Sequence, residues 1–147
     1  MGERVPVYLV QTDTTVGFAS KDAEKLDGIK GRPAGKPYLE TVATLRALKA
    51  VCRIPKSHRK RIRRAQKTTF VYPDGIARRL VREGEYADLL RRTGTMLSTS
   101  ANRSGHDFEP GWAEAQCDII IYTPAGFAQK PPSSILKIGK INVTQLR

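Results

Sequence analysis

The sequence has little cysteine, histidine or tryptophan and no long apolar run. Cys52 and Cys117 are its only cysteines, with no histidine at ligand spacing beside them, so the usual Cys/His zinc site is excluded. They read as reduced core residues of a cytoplasmic protein. No apolar stretch approaches the length of a membrane span. The start, Met1-Gly2-Glu3-Arg4-Val5-Pro6, lacks the apolar centre of a signal peptide. A soluble, cytoplasmic chain is therefore expected. Phosphate-loop signatures are missing as well, since neither G-x-x-x-x-G-K-[ST] nor G-x-G-x-x-G occurs. Any bound nucleotide must be held by side-chain cations and irregular loops. His58 and His106 have no partner at metal or triad spacing, which leaves Ser-His-Asp and Cys-His catalysis without support.

Cationic side chains are what the chain has in excess. Twenty-six Lys and Arg face fourteen Asp and Glu in 147 residues, a formal charge of +12. That field favours polyanionic partners such as nucleotides or RNA, and it is equally compatible with a solvated cationic surface. The length fits a single domain over 1–147 with a sizeable core.

Strands are predicted over 7–10, 38–43, 68–72, 76–81 and 118–122, with a short one at 96–97 and a closing hairpin of 135–138 and 141–146. A polar turn is expected over 11–17. Ser20 is the expected cap of a helix carrying Ala23, Leu26 and Ile29 on one side, which Gly31 and Pro33 end. Thr44 caps a second helix with Leu45, Leu48 and Val51 inward. A very basic third helix is expected over 56–66, a fourth over 83–92 with Tyr86, Leu89 and Leu90 inward, and a fifth over 110–116 with proline at its start. Strands and helices intermingle without strict βαβ alternation. The expected fold class is α/β: a twisted open mixed sheet with flanking helices.

Four stretches are candidates for chemistry. Ile29-Lys30-Gly31-Arg32-Pro33 places two cations around a glycine at a helix end. They either neutralise a bound phosphate or complement the helix C-terminus. Ser98-Thr99-Ser100-Ala101-Asn102-Arg103-Ser104-Gly105 offers hydroxyls, an amide and free backbone N–H groups directly after a strand, where sites gather. Thr12-Asp13-Thr14-Thr15 also follows a strand and suits either a small polar substrate or a locally bonded turn. His58 to Lys67 contains six Lys or Arg in ten positions. Arg59, Arg63 and Lys67 fall at i, i+4, i+8 on a helix with Lys60 and Arg64 flanking, a stripe for an RNA backbone or a solvated face. Trp112 reads as packing.

At these residues the chain resembles the YrdC-like family of threonylcarbamoyl-AMP synthases. Gln11-Thr12-Asp13-Thr14 with Gly17 resembles the family's P-T-[DE]-T-x-x-G. Lys30-Gly31-Arg32-Pro33 resembles K-x-R-P, and Thr69-Phe70-Val71 the end of P-G-P-x-T. Ser98 to Gly105 resembles S-x-S-A-N-x-S-G, and Pro132-Ser133-Ser134 the late P-S-T segment; Leu146-Arg147 falls where the family ends in Leu-Arg. The resemblance implies a concave basic cavity and a nucleotidyltransferase. Its reaction joins L-threonine, bicarbonate or CO2, and ATP into threonylcarbamoyl-AMP and pyrophosphate, for threonylcarbamoyl modification of adenosine 37 in tRNA. By the same resemblance, Lys30, Arg32, Thr69, Ser98, Ser100, Asn102 and Arg147 would contact the nucleotide. Lys30 and Arg32 would carry the catalytic charge. Thr12, Thr14, Arg79 and Ser134 would hold threonine, with Arg79 preferred over Arg78 because it keeps Gly94 in register. Mg2+ would arrive with ATP, and other tRNA-modification proteins would act downstream. Gln11 for proline, and Ala65-Gln66-Lys67 where the family has P-G-P, depart from the pattern. A non-catalytic paralogue that binds nucleotide or RNA (tRNA, rRNA or double-stranded RNA) through its basic surface is the alternative.

Overall fold

The computed structural model describes residues 4–33, 35 and 37–147. Residues 1–3, part of the start searched for an apolar leader, lie outside the described residues. Val7–Gln11 (β1) and Val16–Ser20 (β2) are antiparallel partners across the Thr12–Thr15 turn. The sequence reading placed Val16 and Gly17 in that turn. The structure instead makes 16–20 a central strand with all five residues buried. The following helix, Ala23–Lys30 (α1), is capped by Asp22, whose carboxylate accepts from Glu24 N and Lys25 N. Ser20 Oγ accepts from Asp22 N just before the helix.

Next come Leu39–Val42 (β3) and Leu45–Val51 (α2), with Thr44 as the cap accepting from Ala47 N. Leu48 is buried as expected, but Val51 faces solvent. A 3-10 turn, Lys56–His58, leads into a short helix, Arg59–Arg64 (α3). Thr68–Val71 (β4) and Ala77–Leu80 (β5) pair antiparallel. The helix Glu85–Thr93 (α4) buries Tyr86, Leu89 and Leu90 and stops at Gly94. Met96–Ser100 (β6) runs three residues further than the sequence indicated. Pro110–Gln116 (α5), Ile119–Ile120 (β7), Ser134–Ile138 (β8) and Val143–Gln145 (β9) complete the chain.

Among the described residues the nine strands form one mixed sheet in the order β7-β1-β2-β6-β3-β5-β4-β8-β9. The β1–β7, β3–β5 and β4–β8 pairs are parallel and the others antiparallel. Strand alternation sorts the core onto two faces. Val10, Ala19 and Met96 pack against Tyr86, Leu89 and Leu90 of α4. On the other face Leu9 and Phe18 meet Leu26 of α1 and Ala113 of α5, with Trp112 edge-on to Phe18. Val42, Phe70 and Ile138 meet Leu48 of α2 and Ile62 of α3 there. Both cysteines are only half-buried at the margins of these clusters, not inside them. With one helix on its side, the first face stays uncovered beyond α4, and that gap is where the candidate site lies.

Candidate functional site

The site begins at the end of α1. Gly31 takes a left-handed conformation, φ 66, and its N–H and that of Arg32 both reach Asp27 O. The reversal sends the two neighbouring cations in different directions. Lys30 runs inward, and its ammonium donates to Ser100 O at 3.0 Å and Asn102 O at 2.5 Å. Ser104 Oγ returns a bond to Lys30 O. The two stretches singled out in the sequence are thus fastened to each other by Lys30. Burial first, and the Arg32 charge second, pull the Lys30 ammonium down from 10.5 to about 8. Arg32 goes outward and lies 4.9 Å over the Tyr38 ring, whose hydroxyl donates to Asp27 Oδ1 at 2.6 Å.

A cavity of about 280 Å³ opens on the uncovered face. Thr12, Thr14, Arg32, Thr69, Arg79, Ser98, Ser100 and Arg147, all expected from the sequence, line it. Pairing explains their convergence. Thr69, Arg79 and Thr41 are cross-strand partners, as are Ser98 with Leu39 and Ser100 with Gly17. Side chains opposite one another in a sheet share a face. Because β6 continues to Ser100, Ser98 and Ser100 sit two apart and point the same way. Gly17 forms part of the floor. A Cβ there would meet Thr99 O at 3.0 Å and Thr12 Cγ2 at 3.2 Å.

Of the two adjacent arginines, Arg79 faces the cavity. Its Nε and Nη2 bond Asp13 Oδ1 at 3.1 and 3.0 Å, and Nη1 donates to Thr69 Oγ1 at 3.4 Å. Three of its five N–H groups are so engaged, leaving two for a ligand. Arg78 lies on the opposite face, paired with Glu40 and Asp74. The hydroxyl chain continues from Thr69 Oγ1 to Ser133 Oγ at 2.7 Å, and Arg147 Nε donates to Ser133 O.

Several expected residues stand elsewhere. Ser134 is exposed and begins β8, while Ser133, one position earlier and buried, lines the cavity. A slip of one residue exchanges the faces of a strand. Asn102 donates to Arg103 O and His106 O within its own loop. Lys30 holds that loop from beneath and does not line the cavity. The stripe of Arg59, Arg63 and Lys67 does not form. α3 ends at Arg64, and Lys67 lies beyond it at φ 50, although all five expected RNA-contacting residues, with Lys60 and Arg64, are exposed.

The sequence names Asp13 only as part of its polar stretch, without the pairing to Arg79, and gives no role to Tyr38 or Gln11. Gln11 Nε2 donates to Thr12 O and Thr14 O, and its Oε1 accepts from Ala128 N at 2.7 Å. Val16 N donates to Ala128 O, and Lys130 N donates to Thr15 Oγ1. The segment crossing from β7 to β8 is thereby tied to the threonine turn. An acid two positions from the polar turn's start was visible, but its partner, 66 residues away, was not. The described residues hold no cluster of three or more His, Cys, Asp or Glu suited to a metal, and no helix long and apolar enough to cross a membrane.

No protein-family model matches the sequence. An uncharacterized protein of Mycoplasma pneumoniae, a homolog of MG259, is 26% identical over 122 residues, 76% of this chain and 26% of that protein. Among solved structures, Sua5 of P. abyssi in complex with L-threonine superposes with a TM-score of 0.82 at 20% identity, over 97% of this chain and 50% of Sua5. YciO of E. coli superposes at 0.74 and 19% identity, over 97% of this chain and 82% of YciO. The chain therefore spans about a quarter of the curated relative it matches and half of Sua5. At these identities the likeness is one of fold, and the fold is YrdC-like.

Proposed function

We propose that the cavity makes threonylcarbamoyl-AMP and pyrophosphate from L-threonine, bicarbonate or CO2, and ATP, in the service of tRNA threonylcarbamoylation. The observation that carries this reading is the convergence of five stretches far apart in sequence on one polar cavity containing three arginines. The threonine complex of P. abyssi Sua5 adds support at the level of the shared fold. The reaction needs no nucleophilic side chain. The threonine amine adds to CO2, a carbamate oxygen attacks the α-phosphorus, and pyrophosphate leaves. The protein's task is positioning and charge neutralisation.

In this reading the free N–H groups of Arg79 take the threonine carboxylate, with Asp13 fixing the guanidinium. Thr12, Thr14 and Ser133 line the threonine end. A cavity near 280 Å³ is at the small end for ligand sites, enough for an amino acid, so the nucleotide extends along the open mouth past Arg32, Ser98, Ser100 and Arg147. Lys30 lends its charge from beneath the loop, its ammonium held on two carbonyls and off the cavity wall. Asn102 shapes the loop that carries Ser100. Mg2+ enters as part of the ATP substrate.

The test is pyrophosphate release by purified, folded protein with ATP, bicarbonate and Mg2+. Release that requires threonine is expected, and Arg32→Ala and Arg79→Ala should each lower it about 10²-fold. No release would overturn the reading. One observation favours the second reading, nucleotide or RNA binding without adenylate formation: the Lys30 charge is largely spent on the protein's own carbonyls. That alternative requires nucleotide binding by calorimetry with no pyrophosphate formed.

A further inference from the structure

A groove of about 1070 Å³ runs between the end of α2, the 3-10 turn, the β4–β5 turn and the tip of the β8–β9 hairpin. Its floor is Tyr72 and Cys52, which belong to the cluster around Leu48 and Phe70, on the sheet face opposite the nucleotide cavity. Pro55, Pro73 and Ile141 make its sides apolar. Ile141 stands at the hairpin tip and is 76% exposed. A single exposed apolar side chain is ordinary, but one that extends an apolar groove marks a contact surface.

Two fixed contacts hold the groove in shape. Ser57 Oγ donates to Lys140 O at 2.6 Å and ties the 3-10 turn to the hairpin tip. Arg78 Nη1 lies 2.9 Å from Asp74 Oδ2, and the same guanidinium sits 5.5 Å over the Tyr72 ring. A ligand therefore pays little to order the groove. Charge decides what kind of ligand fits. Arg53, Lys56 and Lys140 line the groove, are exposed, and make no ion pair among the described residues. Asp74, the acid beside them, is committed to Arg78.

We propose that this groove docks an acidic segment of a partner protein. One aliphatic or aromatic side chain of that segment lies between Pro55, Pro73 and Ile141, and its flanking carboxylates meet Arg53, Lys56 and Lys140. An apolar anchor inside a charged rim is the anatomy of a specific protein contact. A sugar–phosphate backbone has no apolar group to fill such a groove, and Tyr72, 2% exposed, offers a base no face to stack on. A symmetric second copy would bring the same cations against these. The proposal does not depend on the chemistry of the nucleotide cavity.

The test is fluorescence anisotropy of the whole chain with a labelled dodecapeptide that has Leu-Phe at its centre and Asp or Glu elsewhere. Saturable binding below about 0.5 mM protein is expected. Replacing Leu-Phe by Ser-Ser should weaken it about tenfold, as should Ile141→Asp in the protein. The variant Lys56→Glu/Lys140→Glu should weaken the acidic peptide about tenfold. It should also bind the same Leu-Phe peptide flanked by Lys more tightly than wild type does, which a misfolded groove cannot do. An equal charge reversal elsewhere, Lys21→Glu/Arg92→Glu, should change affinity less than about threefold. Equal losses in the two double variants, or equal binding of the Leu-Phe and Ser-Ser peptides, would reduce the effect to net charge and overturn the groove. So would binding of an RNA hairpin with no binding of the peptide, or a dimer of the chain that Ile141→Asp dissolves in sedimentation while the peptide does not bind.

Discussion

At the scale of single residues the site depends on two that carry little chemistry of their own. Gly17 keeps the floor open. In Gly17→Ala the new Cβ meets backbone oxygen on one side and Thr12 on the other. A loss of about 1–3 kcal/mol is expected in urea unfolding as Thr12 is displaced. Lys30 is the second. Its folded value near 8 lies below the 10.5 it has when exposed, so between these pH values the unfolded chain binds more protons than the native one. The Lys30 contribution to stability therefore grows as pH rises through that window. Comparing wild type with Lys30→Met, the stability difference should move in favour of wild type from pH 7.5 to pH 10. A constant difference would mean that Lys30 titrates normally.

At the scale of elements, what was legible in the sequence is what local chemistry encodes. The Thr44 cap, Gly31 stop, Pro110 start and closing hairpin follow from residue types within a few positions. β2 was not legible, because both its faces are buried and no alternation remains to be read. The choice of Arg79 over Arg78 rested on register with Gly94, and the strand pairing places Arg79 on the cavity side. Ser134 failed by the same one-residue logic. The tie from Gln11 to Ala128, spanning 117 positions, could not be read at all. It predicts that Gln11→Ala frees the Ala128 amide, raising its hydrogen exchange about tenfold while amides of β1 stay protected. Unchanged exchange at Ala128 would show the crossing segment to be held by its other bonds.

At the scale of the molecule, residues 41–73 hold ten exposed Lys or Arg and no acid, and although Asp74 lines a cavity beside Arg53, Lys56 and Lys140, that surface repels itself. Screening should relieve it, so the melting temperature should rise between 10 and 200 mM NaCl, and the variant Lys60→Gln/Arg61→Gln/Arg64→Gln should show a smaller rise. A fall with salt would mean that ion pairs dominate. Strand order has a different consequence, one of timing. Thr69 and Arg79 are in place early in the chain, whereas Ser133, which bonds Thr69, follows 64 positions later. At about 5–20 residues per second, synthesis reaches the second wall of the cavity roughly 3 to 13 s after the first. A ribosome-bound chain interrupted before β8 carries half a pocket, so a ligand that needs both walls can bind only after β8 has been made.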